Sequence, residues 1–180
     1  FFFPILVGTF FQQLYNTVDA VIVGQFAGKE ALSSVGGSSS QIINFVVGFF
    51  TGLSAGATVI ISQFYGANDA NKIHRALHTA YAFSIVGGII AGIIGIALTV
   101  PVMKLMNTPE ELMHDSAMYV MIYFGGLVFI FVYNMGSAIL RAIGDSKRPL
   151  YYLIICCFIN IVLDIVFVSV LKLGVLGVAV

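Results

Sequence analysis

Residues 76–103 read ALHTAYAFSIVGGIIAGIIGIALTVPVM, 28 positions without a single Asp, Glu, Lys or Arg. As a helix this stretch would rise about 42 Å at ~1.5 Å per residue, more than the ~30 Å hydrocarbon layer of a bilayer. Strict alternation over about 10 residues, the mark of a membrane β-strand, is absent from it. Further apolar stretches lie near 1–26, 31–64, 117–140 and 149–171, and a sixth begins at Gly174. Each of the five complete stretches supplies the roughly 20 apolar residues that a spanning helix needs. The fold class expected is therefore an all-α integral membrane protein, a polytopic bundle of transmembrane helices. The second stretch, 34 residues long, is expected to tilt or to project beyond the membrane.

Composition leads to the same class. Of 180 residues 59% are hydrophobic and 9% charged, where a soluble domain carries about 25% charged residues. Eight basic and eight acidic residues cancel, so there is no electrostatic footprint for nucleic acid. Fourteen of these sixteen charges fall in the connections: Lys29 and Glu30; Asp69, Lys72 and Arg75; Lys104, Glu110, Glu111 and Asp115; Arg141, Asp145, Lys147 and Arg148; Lys172. The connections 65–76 and 141–149 hold five basic residues against three in the others. The positive-inside rule then puts these two connections and residue 1 in the cytoplasm, with the plasma (inner) membrane as the expected location. The chain opens in apolar sequence with no charged segment or cleavage site ahead of it, and is read as a fragment without a signal peptide.

Glycine and proline punctuate the stretches. Gly48, Gly52 and Gly56 in the second, and Gly88 and Gly92 in the third, have the spacing that lets membrane helices approach closely. Gly66, Gly144 and Gly174 are placed at helix ends, Pro109 and Pro149 at helix starts, and Pro101 at a helix end. Cys156 and Cys157 are adjacent within an apolar run and are read as packing residues. His74 and His78 flank a basic connection and are read as interfacial, not as metal ligands.

Two charges remain inside the stretches, Asp19 and Asp164. Each costs about 2.5–3.5 kcal/mol at a helix centre, so an intramembrane acid is by default a functional residue. Asp19 lies 15 residues after Pro4 and Asp164 lies 15 after Pro149. Both helices run in the same direction, so the acids reach the same depth, ~22 Å from the helix starts and in the outer half of the membrane. On the first helix Gln12, Tyr15, Asn16 and Asp19 follow i, i+3, i+4, i+7, a single polar stripe. Asn160 stands one turn before Asp164 on its face. The second helix carries Gln41, Asn44, Gly48, Thr51, Ala55, Thr58 and Ser62 in another stripe. Such stripes face neighbouring helices or a water-filled cavity. Carboxylate, amide and phenol oxygens suit a hard cation or a proton.

Pro4 with QQLYNTVDAVIVG (12–24), SAGATVIISQFYGAND (54–69), ILRAIGDSKRP (139–149), NIVLD (160–164) and GVLGVAV (174–180) together resemble the amino-terminal half of a multidrug and toxic compound extrusion (MATE) transporter. The resemblance covers nearly all 180 residues. It implies two six-helix lobes around a cleft that opens alternately to each side. Residues 1–180 would be a partial amino-terminal lobe, without the carboxy-terminal one. It implies export of small organic, often cationic, compounds across the lipid membrane, coupled to sodium or proton entry, with no cofactor. By motif position the cation site, a possible sodium site, maps onto Asp19, Asn160 and Asp164. Gln12, Tyr15, Asn16, Gln41 and Asn44 match or extend the cavity lining, and Pro4 matches a hinge on the first helix.

Three other readings compete. A lipid-linked oligosaccharide flippase of the same superfamily would want basic inner faces for a pyrophosphate, and these faces offer two acids and no Lys or Arg. An intramembrane aspartyl protease would need Tyr-Asp and Gly-x-Gly-Asp motifs, whereas Asp19 follows Val18 and Asp164 follows Leu163. No enzyme is expected. A structural membrane subunit is the plainest alternative. For the topology, single cysteines at Asn71 and Asn107, in a background lacking Cys156 and Cys157, should react with an impermeant reagent from opposite sides of the membrane. Labelling of both from outside would refute the assignment.

Overall fold

The computed structural model describes residues 2–171 and 175–179. The chain runs α1 (Phe2–Ile22), a π-helical segment (Val23–Ala27), α2 (Gly28–Gly36), α3 (Ser38–Gly66), α4 (Ala70–Leu105), α5 (Glu110–Ala142), α6 (Lys147–Asp164), a second π-helical segment (Ile165–Val170) and α7 (Val175–Ala179). No strand occurs among the described residues. Four spans, Leu32–Gly66, Ala70–Leu105, Glu110–Ala142 and Lys147–Val168, are long and apolar enough to cross a bilayer. At 21 residues, α1 rises about 32 Å and is also long enough.

The helices outrun the apolar stretches because the flanking polar turns still complete backbone hydrogen bonds. Asp69 caps α4. One of its oxygens accepts from the Lys72 backbone N–H at 3.1 Å, and the other meets Lys72 Nζ at 3.0 Å. These contacts, the side-chain hydrogen bond foremost, hold the Asp69 carboxyl below its ordinary value. Glu110 and Glu111 sit in the first turn of α5 and Arg141 in its last, each complementing the helix dipole. Pro109 precedes α5 and Gly144 ends the turn after it with φ 89°.

Two expectations are corrected here. Pro101 does not end α4, which continues to Leu105. A proline removes one backbone bond, and a membrane helix tolerates that so close to its end. The second stretch is not one long helix either. It breaks at Gly37, between α2 and α3, where φ is −81° and ψ −124° and a Cβ would lie 2.7 Å from the Ser33 carbonyl oxygen. Hydroxyls satisfy the backbone at the break: Ser39 and Ser116 donate to the Ser34 carbonyl at 2.6 and 3.2 Å. The bend expected at Pro4 rests on a side chain outside the described residues, and Lys172 and Gly174 also lie outside them.

The core forms where α3, α4 and α5 meet. One cluster is built on Ile43, Met103, Val120, Phe124, Leu127 and Phe131, and a second on Ile61, Ala80, Met135 and Ile139. Thr58 on α3 also donates to the Ala138 carbonyl on α5 at 3.4 Å. The close approach belongs to α4 and α5. A Cβ on Gly88 would come within 2.9 Å of Val128 Cα, and one on Gly92 within 2.8 Å of the Phe124 carbonyl oxygen. Gly48, Gly52 and Gly56 are different: nothing lies within 4 Å of where their Cβ atoms would be. The expectation that all five glycines mediate close packing holds for α4 and fails for α3, where no other helix comes within 4 Å of the Cβ positions of Gly48, Gly52 and Gly56.

Helix α1 packs on α6. A Cβ on Gly8 would stand 3.6 Å from Leu153 Cδ2, and Cys157, buried on α6, places Sγ 4.0 Å from the Phe11 carbonyl oxygen. Cys156 is exposed. His74 and His78 are exposed on α4, with their Nε2 atoms 3.1 Å apart.

Two outcomes follow from this packing. Gly92→Leu should lower stability by about 1–3 kcal/mol, the scale of overpacking, while Gly52→Leu should leave the thermal transition in detergent unchanged. The reverse order would place the close approach on α3. Cysteines at Gly8 and Leu153, in the Cys156- and Cys157-free background, should cross-link on mild oxidation. Failure of that pair to link would break the α1–α6 pairing.

Candidate functional site

Helices α1 and α6, which carry the two intramembrane acids, pack on each other. Asp164 is 3% exposed, and Asp19 and Asn160 are half-buried. Asp19 feels the charge of Asp164. Three oxygens here, Asp19 Oδ1, Asn160 Oδ1 and Asp164 Oδ2, are buried without a hydrogen-bond partner among the described residues. Buried polar atoms are normally satisfied. Three acceptors on two packed helices are thus left with lone pairs unused among the described residues. Two carboxylates and an amide are hard oxygen ligands, the type that binds a hard cation or, at a carboxylate, a proton.

Each acid also adjoins an irregular turn. The π-helical segment Val23–Ala27 begins one turn after Asp19, and Ile165–Val170 begins directly after Asp164. The two segments touch each other. Short π-helical insertions widen a helix by one residue and occur often at functional positions.

The predicted polar stripe of α1 divides. Tyr15 is half-buried and feels the charges of Asp19 and Asp164. Gln12 and Asn16 are exposed, with Asn16 Nδ2 donating to Gln13 Oε1 at 3.4 Å. Gln41 and Asn44 are also exposed, on α3 and apart from the acid pair. The α3 stripe stays open except at Thr58.

One residue passed over in the sequence, Tyr119, joins the site from α5. Tyr119 feels the charges of Asp19 and Asp164, and it packs on Val23 and Val175. Tyr123 stands one turn further along the same helix. Their i, i+4 spacing in an otherwise apolar stretch was the available signal. Among the described residues no group of three or more His, Cys, Asp or Glu side chains is arranged for a metal ion. The donors at hand are two carboxylates with neutral oxygens around them.

The MatE family model matches residues 4–166. The chain is 33% identical over 177 residues to "Probable multidrug resistance protein YoeA" of Bacillus subtilis (strain 168), covering 98% of this chain and 37% of that protein. It is 32% identical over 180 residues to "Probable multidrug resistance protein YpnP" of the same organism, covering 99% and 40%. A MATE protein crystallised in complex with MaL6 superposes with a TM-score of 0.92 at 26% identity, over 98% of this chain and 39% of that one. The chain thus spans about two fifths of the length of these relatives. A family match running from Pro4 to Val166 leaves little of the sequence outside it, and the chain belongs to the MATE family.

Proposed function

We propose that this chain is the greater part of the amino-terminal lobe of a cation-coupled exporter of small organic, often cationic, compounds. Asp19, Asn160 and Asp164 form its coupling site. The observation that carries the reading is the set of unpartnered buried oxygens shared by α1 and α6. Two carboxylates in a low-dielectric setting repel each other when both are ionised. A sodium ion offsets that repulsion by sitting between them, and a proton offsets it by neutralising one. The two ions then compete for the same oxygens. Tyr15 and Tyr119 are the neutral oxygens best positioned to complete the set. Binding there drives transport only if the cation prefers one of two lobe conformations, since an ion with equal affinity for both shifts nothing. The exposed polar residues Gln12, Asn16, Gln41 and Asn44 would line the passage for the exported compound. The acids on the inner faces, with no Lys or Arg among them, favour a cationic or neutral cargo over an anionic one.

Asp19→Asn and Asp164→Asn should each abolish gradient-driven efflux by the intact protein in proteoliposomes, with circular dichroism unchanged. Asn160→Ala should weaken the cation dependence less severely, because it removes a neutral ligand and no charge. Imposing a sodium gradient and a pH gradient separately identifies the coupling ion. Full gradient-driven efflux by a folded Asp164→Asn protein would overturn the assignment.

A further inference from the structure

Helices α3 and α4 leave a groove of about 620 Å³ between them, next to the connection that joins them. Its walls are apolar, among them Gly56, Ile60, Phe64 and Phe83, and its mouth carries Lys72 and Arg75. Ile60 and Phe83 are each about half exposed, so the groove opens sideways from the bundle. Along α4 from Lys72 to Phe83 the rise is about 17 Å, close to half of the ~30 Å hydrocarbon layer. The cations therefore stand at the membrane surface, and the apolar walls run through one leaflet.

The charges at the mouth are not evenly committed. Asp69 is occupied by Lys72, through both the backbone N–H and Nζ. Lys72 Nζ lies 5.9 Å from the centre of the Phe64 ring, over the end of the groove. Arg75 has no carboxylate partner among the described residues. An unpaired guanidinium at the lip of an apolar slot is complementary to a phosphate that carries an acyl chain. A second groove, between the opposite ends of α3 and α4, is lined by residues such as Phe45, Ile94 and Leu98 and has no cation at its rim. Only the first joins both halves of a lipid's chemistry.

We infer that the groove between α3 and α4 binds an anionic phospholipid, with its phosphate at Arg75 and Lys72 and an acyl chain along Gly56, Ile60 and Phe83. The site is separate from the acid pair on α1 and α6 and does not depend on the export reading. A lipid held here bridges α4 and the otherwise open glycine-bearing face of α3, and it links the lobe to the charge of one leaflet.

The test is native mass spectrometry of the intact protein with phosphatidylglycerol and with phosphatidylcholine of matched chains. Phosphatidylglycerol should be retained in preference. The Lys72→Gln/Arg75→Gln variant should lose that preference by about tenfold or more, the scale of two cations at an anionic lipid surface. Gly56→Leu, which places a side chain where nothing lies within 4 Å, should lower phosphatidylglycerol retention with both cations intact. Lys147→Gln/Arg148→Gln, which removes the same charge from exposed positions at the start of α6, should change neither. Equal retention of the two lipids would overturn the proposal. So would an equal loss in the Lys147/Arg148 variant, or a Gly56→Leu protein that binds as before. Displacement of phosphatidylglycerol by inorganic phosphate at matched concentration would identify a free-anion site and reject the lipid.

Discussion

Hydrocarbon offers a peptide group no water, and an unsatisfied backbone N–H or C=O there costs several kcal/mol. Long helices meet that demand within themselves, and the departures from them among the described residues have a local remedy or a special position. At Gly37 the chain breaks, and two serine hydroxyls converge on the Ser34 carbonyl. At Pro101 the lost bond falls within the last turns of α4. The two π-helical segments stay hydrogen-bonded and lie against each other.

The same scarcity of water sorts the packing into two groups. α4 and α5 come together through Gly88 and Gly92, where backbone almost touches backbone. With α3 they enclose the aromatic and aliphatic core. α1 and α6 form the other group, and their contact buries carboxylates. A glycine contact gains dispersion at short range and has no charge to satisfy. A carboxylate contact carries a standing desolvation cost that a cation or proton can relieve. One group is thus held by shape, while the other carries the cost of buried carboxylates.

Much of this was legible in the residues. Charge placement gave the spans, because a charged side chain is too costly to leave in the layer. Counting from Pro4 and Pro149 put Asp19 and Asp164 at one depth. What counting could not give was azimuth, since spacing places residues on one face of a helix without saying which neighbour that face meets. Gly48, Gly52 and Gly56 have the same spacing as Gly88 and Gly92, yet only the α4 pair meets another helix. Tyr119 was missed for a related reason: a tyrosine in an apolar stretch reads as packing until the helix that carries it is placed against the one that carries an acid. The break at Gly37 was hidden because Gly36 and Gly37 precede three serines, a run that apolar length alone does not distinguish from helix.

The positions of the π-helical segments connect these points. Each begins within one turn of an acid, and they meet beyond the acid pair. A helix that changes from an α to a π pattern shifts the face it presents by one residue, so a small change in such a segment rotates whatever follows it. A cation shared by Asp19 and Asp164 would draw α1 toward α6 at the very level where both helices change pattern. Its loss would restore the repulsion there. The group of α3, α4 and α5, held by its own glycine and aromatic contacts, would give that movement a reference. Tyr119, held on α5 and packed against Val23 where the first π-helical segment begins, is where the α3–α4–α5 group meets the neighbourhood of the acids.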